Sequence, residues 1–161
     1  QKNIIYFGTI SEWFDNSLIE KIVKNFEHIK INIIGPCDTK KVSHHRVIYH
    51  DAMNHNDLMQ YASKADAFIM PFVVNELIEG VDPVKLYEYM FFDVPVISVF
   101  YEELLHFQDH IHFYNNHEEA LNLFNIIFSE NYEPNNRDVF LQSSSWHSRS
   151  SQILDAIKCI N

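Results

Sequence analysis

The sequence predicts an α/β fold, a doubly wound parallel sheet of about six strands with helices on both faces. Short apolar runs alternate with segments whose apolar residues recur at helical spacing, which is typical of βαβ units. The runs are continuous rather than alternating, as in strands covered on both faces. The chain has three glycines, each of which follows a predicted strand, whereas average usage of about 7% would give roughly eleven. The glycines therefore mark one edge of the sheet.

The predicted strands are four or five residues long and consist mainly of Ile, Val, Phe and Tyr. Parallel strands need crossover connections, which we expect to be right-handed. The strands are residues 3–7, 30–34, 46–49, 66–70, 95–99 and 111–114.

In the segments between these strands, apolar residues recur at helical spacing. In the first helix, one apolar face is formed by Trp13, Leu18, Ile22, Val23 and Phe26. The later helical segments are one around Leu58 and Tyr61, residues 83–92, a single turn at 102–106, residues 117–128, and two near 134–142 and 146–160.

Size and composition indicate one globular domain covering residues 1–161. The chain is 47% hydrophobic, enough for a sizeable core. Its formal net charge of −10 argues against a nucleic-acid-binding protein, which needs a basic face. A small anionic ligand remains compatible with this charge, because one cation and a helix end can hold a phosphate locally.

The two cysteines, Cys37 and Cys159, are too few for a disulfide framework, and no secretory signal is visible. The longest apolar run, DAFIMPFVV, is interrupted by Pro71 and falls short of the ~20 residues that cross a bilayer. We therefore expect a cytoplasmic protein. A strand candidate only two residues after Gln1 predicts a domain cut from a longer protein.

A short helix between two apolar strands carries the main candidate for chemistry. Asp82 is predicted as its N-cap and Pro83 as its first residue, so Lys85 would be the third. Lys85 and Glu88, three positions apart, then share a face. Ligands of doubly wound sheets bind beyond the C-terminal strand ends, where a lysine can meet a diphosphate and a glutamate can accept hydrogen bonds from a ribose diol. The alternative is a surface ion pair of a few tenths of a kcal/mol.

The glycines suggest where such a ligand would sit. Gly8 and Gly80 permit close approach of the backbone to a ligand, although strand-to-helix turns also favour glycine, and the turn is the preferred interpretation for Gly35. The chain contains neither G-x-G-x-x-G nor G-K-[ST]. A dinucleotide-fingerprint dehydrogenase and a P-loop NTPase are thereby excluded.

A metal centre is not predicted, despite ten histidines. The histidines lack the H-E-x-x-H and the Cys/His spacings of metal sites. We expect no metal requirement and no cofactor.

Four stretches together resemble the C-terminal, donor-binding half of GT-B glycosyltransferases, in particular the bacterial group-1-type enzymes that build surface polysaccharides. They are YFGTISEWFD, INIIGP, ADAFIMPFVVNELIEGVDPVKLYEYMFFDVPVIS and SSSWHSRSSQIL, in that order along nearly the whole chain. The most specific part is D-P-x-K-x-x-E-Y followed by P-V-I. The resemblance implies a Rossmann-like domain that binds a nucleotide-diphosphate sugar, commonly UDP-linked, while an absent N-terminal domain binds the acceptor.

The resemblance also implies roles for individual residues. Glu88 is similar in position to the carboxylate that holds the ribose hydroxyls, and Lys85 to the cation beside the diphosphate. Gly8 and Thr9 resemble the first-strand loop that approaches the phosphates or the sugar. The turn from His50 to Met53 would face the base.

The loop from Pro71 to Val81 resembles the segment that reaches the donor sugar, but it departs from the family pattern. Many retaining members carry two glutamates separated by seven residues, and here Gly80 stands where the first is expected. Glu79, one place away, is the candidate replacement and is predicted with Lys85 as a catalytic residue. A basic GRL…KG segment is also absent, so Lys85 carries more of the diphosphate interaction.

The sequence therefore predicts a glycosyltransferase donor domain that uses a nucleotide-diphosphate sugar, with a glycan or lipid-linked acceptor held by the missing domain. Peripheral association of the full-length protein with the inner membrane face is also expected. One alternative is half of a sugar-nucleotide 2-epimerase, which shares the fold and the donor site. Another is a non-catalytic, receiver-like interaction domain, but that class needs acidic residues after the first strand, where this chain has GTIS.

Overall fold

A computed structural model describes residues 1–129 and 132 of the chain. Six parallel strands form one sheet in the order β3-β2-β1-β4-β5-β6. The strands are β1 Lys2–Phe7, β2 Ile29–Ile34, β3 Val47–His50, β4 Ala67–Met70, β5 Val96–Val99 and β6 His112–Tyr114. The predicted doubly wound parallel sheet is confirmed, and each predicted strand is present to within one residue at either end.

Helical segments follow every strand except β2, which connects to β3 without a helix. They are α1 Asn16–Asn25, α2 His55–Ala62, α3 Glu76–Glu79, α4 Val84–Met90 and α5 His117–Ile127, and a 3-10 helix spans Glu102–Phe107. The two helices predicted near 134–142 and 146–160 lie outside the described residues. No helix in the described part of the chain is long and apolar enough to cross a membrane.

Helices cover both faces of the sheet. Successive strand residues point to opposite faces, and Tyr6 and Phe7 illustrate this at the end of β1. The Tyr6 ring packs edge-on against Phe14, just before α1, with 4.9 Å between centroids. The Phe7 ring packs against Tyr89 of α4, with 4.7 Å between centroids. The central strands are therefore almost wholly buried, which accounts for their continuous apolar sequence, whereas the edge strands β3 and β6 are only partly buried.

The start of α1 differs from the predicted helix. Asp15 is the N-cap, and its carboxylate accepts a hydrogen bond from the Leu18 amide at 3.0 Å. Trp13 consequently precedes the helix instead of forming its first turn. The predicted apolar face is otherwise correct, since Leu18, Ile22 and Val23 are buried.

The segment between β4 and β5 contains a short helix, α3, within the predicted loop from Pro71 to Val81. Asn75 caps α3 by accepting hydrogen bonds from the amides of Leu77 and Ile78. Ile78 is buried, and it anchors the turn to the core. This short helix lies between the last strand residue of β4 and the start of α4, and it shapes the rim of the site described below.

The start of α4 also differs from the prediction. Pro83 occupies the N-cap position without a side-chain hydrogen bond, and Val84 is the first helical residue. The Asp82 carboxylate lies instead 3.8 Å from the His106 imidazole. Asp82 is therefore not the N-cap, because a partner 24 positions further along the chain holds its side chain.

The strand order reverses direction between β1 and β4, which are hydrogen-bonded neighbours at the centre of the sheet. β1 connects to β2 on one side, whereas the chain crosses to β4 on the other. A crevice opens outside the carboxyl ends of the strands at such a switch point, and this is where ligands of doubly wound sheets bind.

Candidate functional site

Lys85 and Gly8 meet at the switch point. Gly8 follows β1 with φ +147°, a conformation that side chains rarely adopt. A β-carbon on Gly8 would lie 1.9 Å from Lys85 Cε and 2.9 Å from Nζ. The lysine side chain therefore crosses directly over the glycine. The structure brings these two predicted residues together.

A second glycine supports the same turn. Gly35 follows β2 with φ +136°, and a β-carbon there would lie 2.2 Å from the carbonyl oxygen of Gly8. The Gly8 amide donates to the carbonyl of Ile34 at 2.9 Å. The backbones after β1 and β2 thus approach each other closely, and only glycine at position 35 allows that approach.

Tyr89 fixes the end of β1 against α4. Its hydroxyl accepts a hydrogen bond from the Phe7 amide at 3.2 Å and donates one to the Phe7 carbonyl at 3.0 Å. Burial raises the pKa of Tyr89 well above its ordinary value, so the hydroxyl remains a donor. Phe7 precedes Gly8, and Lys85 lies one turn before Tyr89. The same helix thus supplies the cation and holds the turn beneath it.

Lys85 lines a cavity of about 390 Å³ at this edge. Thr9 also lines the cavity, and its backbone carbonyl accepts a hydrogen bond from the Tyr6 hydroxyl at 2.7 Å. Asp82 contributes a carboxylate. The remaining lining is mostly apolar: Trp13, Phe72, Leu77, Ile78, Val81, Pro83 and Val84. A cation, a carboxylate and an apolar wall form one pocket beside Gly8.

Glu88 does not line the Lys85 cavity, although the two residues are three positions apart on α4. It lines a separate depression of about 450 Å³ together with Tyr87 and Phe91 of α4 and His55 and Met59 of α2. The Phe91 side chain is 76% exposed. Lys85 and Glu88 therefore line two different depressions, one beside β1 and one beside α2.

His50 and Met53 stand at the turn that leads from β3 into α2. The His50 carbonyl accepts a hydrogen bond from the Gly35 amide at 3.1 Å, which ties this turn to the one after β2. Met53 is half-buried and packs against the core. The turn is thus next to α2, whose first residue His55 lines the Glu88 depression.

The His50 side chain belongs to a polar cluster on the α2 face of the sheet. Its Nε2 lies 2.9 Å from Asn32 Oδ1 and 3.1 Å from the Tyr61 hydroxyl. Asn32 is buried, and its amide donates to Asn3 Oδ1 at 2.6 Å. Burial, with a smaller effect of the Lys30 charge, lowers the pKa of His50. The imidazole is therefore neutral at pH 7, and its Nε2 faces protein groups.

The structure separates Glu79 from the Lys85 cavity. Glu79 is exposed at the end of α3 and lines a different depression of about 350 Å³, with Glu102 and Glu103 close by. Gly80 is exposed at φ −94°, and among the described residues no atom lies within 4 Å of the position its β-carbon would take. The acidic residue that shares the cavity with Lys85 is Asp82.

Hydrogen bonds hold the loop that carries Asp82. The Tyr101 hydroxyl donates to the carbonyl of Val81 at 3.0 Å. His106 Nε2 lies 3.0 Å from the Tyr87 hydroxyl in addition to its approach to Asp82. The 3-10 helix after β5 therefore fixes the wall of the cavity.

Within the described residues, no three His, Cys, Asp or Glu side chains come together as they would around a metal ion. A site without a metal requirement remains a prediction from the sequence.

Three features of the site were missed at the sequence level. The sequence does not identify the partner of the Tyr89 hydroxyl, and the strand predicted at residues 30–34 includes the buried polar Asn32 without a partner for its amide. Asp82 was assigned to a cap. Of these three residues, only Asn32 could have been identified from the sequence. A single amide side chain inside the apolar run KINII indicates a polar partner on the covering helix.

Comparisons of the chain with known proteins agree with the observed fold. The family described as "Glycosyl transferases group 1" matches residues 1–121. No curated protein sequence matches the chain.

Solved structures show the same fold at low sequence identity. HepE from Anabaena in complex with UDP-glucose superposes with a TM-score of 0.62 at 12% identity, covering 76% of this chain and 38% of that one. HepE with UDP and glucose gives a TM-score of 0.61 at 13% identity, covering 76% and 37%.

A Listeria monocytogenes protein assigned as a UDP-N-acetylglucosamine 2-epimerase gives a TM-score of 0.51 at 11% identity, covering 77% of this chain and 36% of that one. The chain thus spans well under half the length of these proteins. By its match over residues 1–121, this chain belongs to the group 1 glycosyl transferase family.

Proposed function

We propose that this chain is the donor-binding domain of a glycosyltransferase and that it binds a UDP-sugar across the carboxyl edge of the sheet. The observation that carries this proposal is the crossing of Lys85 over Gly8 at the switch point. The crossing puts the half-buried Lys85 side chain beside the Gly8 turn, where the absence of a β-carbon lets a ligand approach the backbone. The fold shared with HepE, a structure solved with UDP-glucose, supports the assignment.

In this proposal Lys85 meets the diphosphate. At ~4 Å and an effective dielectric of about 20, each charge pair is worth about 4 kcal/mol before desolvation costs. The Gly8 amide is already bonded to the carbonyl of Ile34, so the amide of Thr9, at the same edge, is the backbone group that would donate to phosphate oxygens. Catalysis is then electrostatic, because these groups stabilise the negative charge that grows on the leaving diphosphate.

The nucleoside extends toward α2. Glu88 accepts hydrogen bonds from the ribose hydroxyls, since its depression adjoins the first turn of α2. The base lies against the turn from His50 to Met53. Because the His50 imidazole is engaged with Asn32 and Tyr61, we expect the backbone of the turn, more than the imidazole, to contact the base.

The sugar extends into the cavity beside Lys85. The segment from Pro71 to Val81, with Gly80 at its end, forms the rim on that side. Asp82 and Thr9 are the polar groups placed to meet sugar hydroxyls there. Glu79 takes part only if α3 moves toward the cavity when the donor binds.

The remaining parts of the proposed enzyme lie outside this chain. A further domain would supply the glycan or lipid-linked acceptor and any general base, as expected from a chain that spans 38% of HepE. Polysaccharide synthesis in the cytoplasm, at the inner membrane face, is the setting that the resemblance supports.

Calorimetric titration tests the donor assignment. We expect UDP to bind more tightly than GDP or TDP. Lys85→Gln should weaken UDP binding by about tenfold. Lys21→Gln, which removes an exposed lysine from α1, serves as the matched control and should leave UDP binding unchanged. Absence of binding by all three nucleotides at millimolar concentration would contradict the proposal.

Activity of the full-length protein separates the two enzyme classes. A glycosyltransferase releases UDP when both UDP-sugar and acceptor are supplied. Conversion of one UDP-sugar into its 2-epimer without an acceptor would instead identify an epimerase, the class of the Listeria protein that shares the fold.

A further inference from the structure

Tyr89 is a buried polar side chain whose only described hydrogen bonds go to the backbone of one residue. Its hydroxyl meets both the amide and the carbonyl of Phe7. The residue is fully buried. The hydroxyl therefore engages the last residue of β1 on both sides of its α-carbon.

The ring of Tyr89 is held independently of the hydroxyl. It stacks on Phe68 of β4 with 4.7 Å between centroids and 9° between planes. It also meets the Phe7 ring edge-on at 4.7 Å. A phenylalanine would make the same ring contacts. The hydroxyl is thus not needed to fill the core. Its two hydrogen bonds instead hold the backbone of Phe7 in position relative to α4.

The residues bound through Tyr89 are neighbours of the proposed diphosphate site. Phe7 immediately precedes Gly8, and Lys85 lies four positions before Tyr89 on α4. Residues four apart on a helix share one face. The distance between the Lys85 amine and the Gly8 turn is therefore set by where α4 sits relative to Phe7, which the Tyr89 hydroxyl fixes.

We propose that Tyr89 is a positioning residue for diphosphate binding, acting through Lys85 and the Gly8 turn. This inference rests on the proposed function and adds a residue that does not touch the ligand. Loss of the hydroxyl would leave the ring in place and let the end of β1 move relative to α4. Lys85 and the turn at Gly8 and Thr9 would then no longer be held in the relative position that a diphosphate needs.

The test compares two ligands that differ only in phosphate. UDP and uridine are titrated into the wild-type chain and into Tyr89→Phe. We expect Tyr89→Phe to weaken UDP by about threefold to tenfold and to leave uridine unchanged. Equal UDP affinity in the two proteins would overturn the inference, and so would an equal loss for UDP and uridine.

A double-mutant cycle tests the route of the effect. On a Lys85→Gln background, Tyr89→Phe should change UDP affinity by less than about twofold, because the group it positions is gone. An undiminished effect on that background would overturn the inference.

Tyr114→Phe is the matched control. Tyr114 is also buried, and in the described part of the chain its hydroxyl has no hydrogen-bond partner. Its substitution should alter neither ligand's affinity. A loss of UDP affinity equal to that of Tyr89→Phe would contradict a specific role for Tyr89.

A spectroscopic measurement tests the same inference with the Tyr89 hydroxyl kept in place. With 3-fluorotyrosine at position 89, the fluorine resonance should shift on addition of UDP and stay unchanged with uridine. An unchanged resonance at saturating UDP would overturn the inference. If the wild-type chain binds no UDP, the proposed function itself fails. Binding by wild type with no effect of Tyr89→Phe rejects only the role of Tyr89.

Discussion

Lys85 lies across Gly8, with its Cε atom 1.9 Å from the position that a glycine β-carbon would occupy. The two residues are 77 positions apart in the sequence, yet the sheet places them in contact at its switch point. The absence of a side chain at position 8 leaves the space that the Lys85 side chain occupies, and it would also let a ligand approach the backbone closely. The glycine and the cation consequently form one unit, and a change at either should affect the other.

Gly8→Ala should disrupt both the turn and the lysine. Alanine at φ +147° is strained, and its β-carbon would displace the Lys85 side chain. We expect a loss of about 1–3 kcal/mol in the free energy of unfolding, measured with urea. UDP affinity, measured by calorimetry, should fall by at least about tenfold.

Gly80→Ala is the control for the stability measurement. Gly80 has φ −94° and, among the described residues, open space where the β-carbon would be. Its unfolding free energy should stay within about 0.5 kcal/mol of wild type. Equal destabilisation by the two substitutions would contradict the assigned difference between the glycines.

Glu88→Ala should act on the nucleoside end of the ligand. A charged hydrogen-bond acceptor for ribose contributes roughly 1.5–3 kcal/mol, so UDP binding should weaken by about tenfold or more. Pyrophosphate, which has no ribose, should bind Glu88→Ala as it binds wild type. Titration of both ligands checks this, with Glu27→Ala in the exposed turn before β2 as control. A matching loss for pyrophosphate would exclude the ribose role.

His50 should make the stability of the fold depend on pH. Burial, then the Lys30 charge, lowers its pKa below the ordinary value of 6.5. The unfolded chain therefore binds the proton more readily than the folded one does. The stabilisation by neutral His50 is complete above pH 6.5 and is lost as the pH falls through the folded-state pKa.

Urea unfolding of wild type and His50→Gln between about pH 5 and pH 8 measures this effect. Glutamine keeps an amide that can bond Asn32 and carries no titratable proton. The stability of wild type relative to the variant should decrease toward pH 5. Parallel profiles for the two proteins would show that His50 titrates as it does in the unfolded chain.

Asp15 predicts a second pH dependence, at lower pH. Burial raises the pKa of Asp15, but hydrogen bonds from Ser17, Leu18 and His117 outweigh it, and the net shift is downward from 3.8. The His117 Nε2 lies 2.6 Å from the carboxylate. The stabilisation is therefore present above pH 3.8 and is lost as the pH falls through the folded-state pKa.

Asp15→Asn should isolate this charge, because asparagine is also a good N-cap. We expect the variant to be less stable than wild type by about 1–2 kcal/mol near neutral pH. The difference should shrink as acid protonates Asp15 in the wild-type protein. Asp38→Asn, at an exposed position after β2, should show no such difference. A gap between Asp15→Asn and wild type that stays constant down to pH 3 would rule out the carboxylate as its source.

The sheet was predictable because each strand carries its own signal. Runs such as NIIYF and KINII are apolar on both faces, and the intervening helical spacing identifies the connections as crossovers. The strand order is harder to predict from the sequence. The glycines after β1 and β2 nevertheless indicate that the carboxyl ends of these strands share one edge of the sheet, where Gly8 and Gly35 are in contact. α3 was missed although Asn75 before ELIE is an N-cap signal, because four residues are too few to show helical periodicity.

The sequence predicts which helix or strand carries each site residue, but it does not predict which side chains meet. That Lys85 starts a helix at the carboxyl edge follows from the sequence, and its contact with Gly8 agrees with that placement. The partner of Asp82 does not follow, since His106 lies beyond β5. The hydroxyl of Tyr89 is a similar case, because periodicity assigns a residue to a face but does not identify what its polar atom meets there.

The connection between Tyr89 and Phe7 spans 82 positions and joins the first strand to the fourth helix. A growing chain that has produced only β1, β2 and β3 already contains Gly8, yet it lacks the lysine that crosses it. Contacts of such long range form after the loop between them has closed. The crossing of Lys85 over Gly8 therefore needs α4 packed against β1, and a bound nucleotide would stabilise only molecules in which that packing is complete.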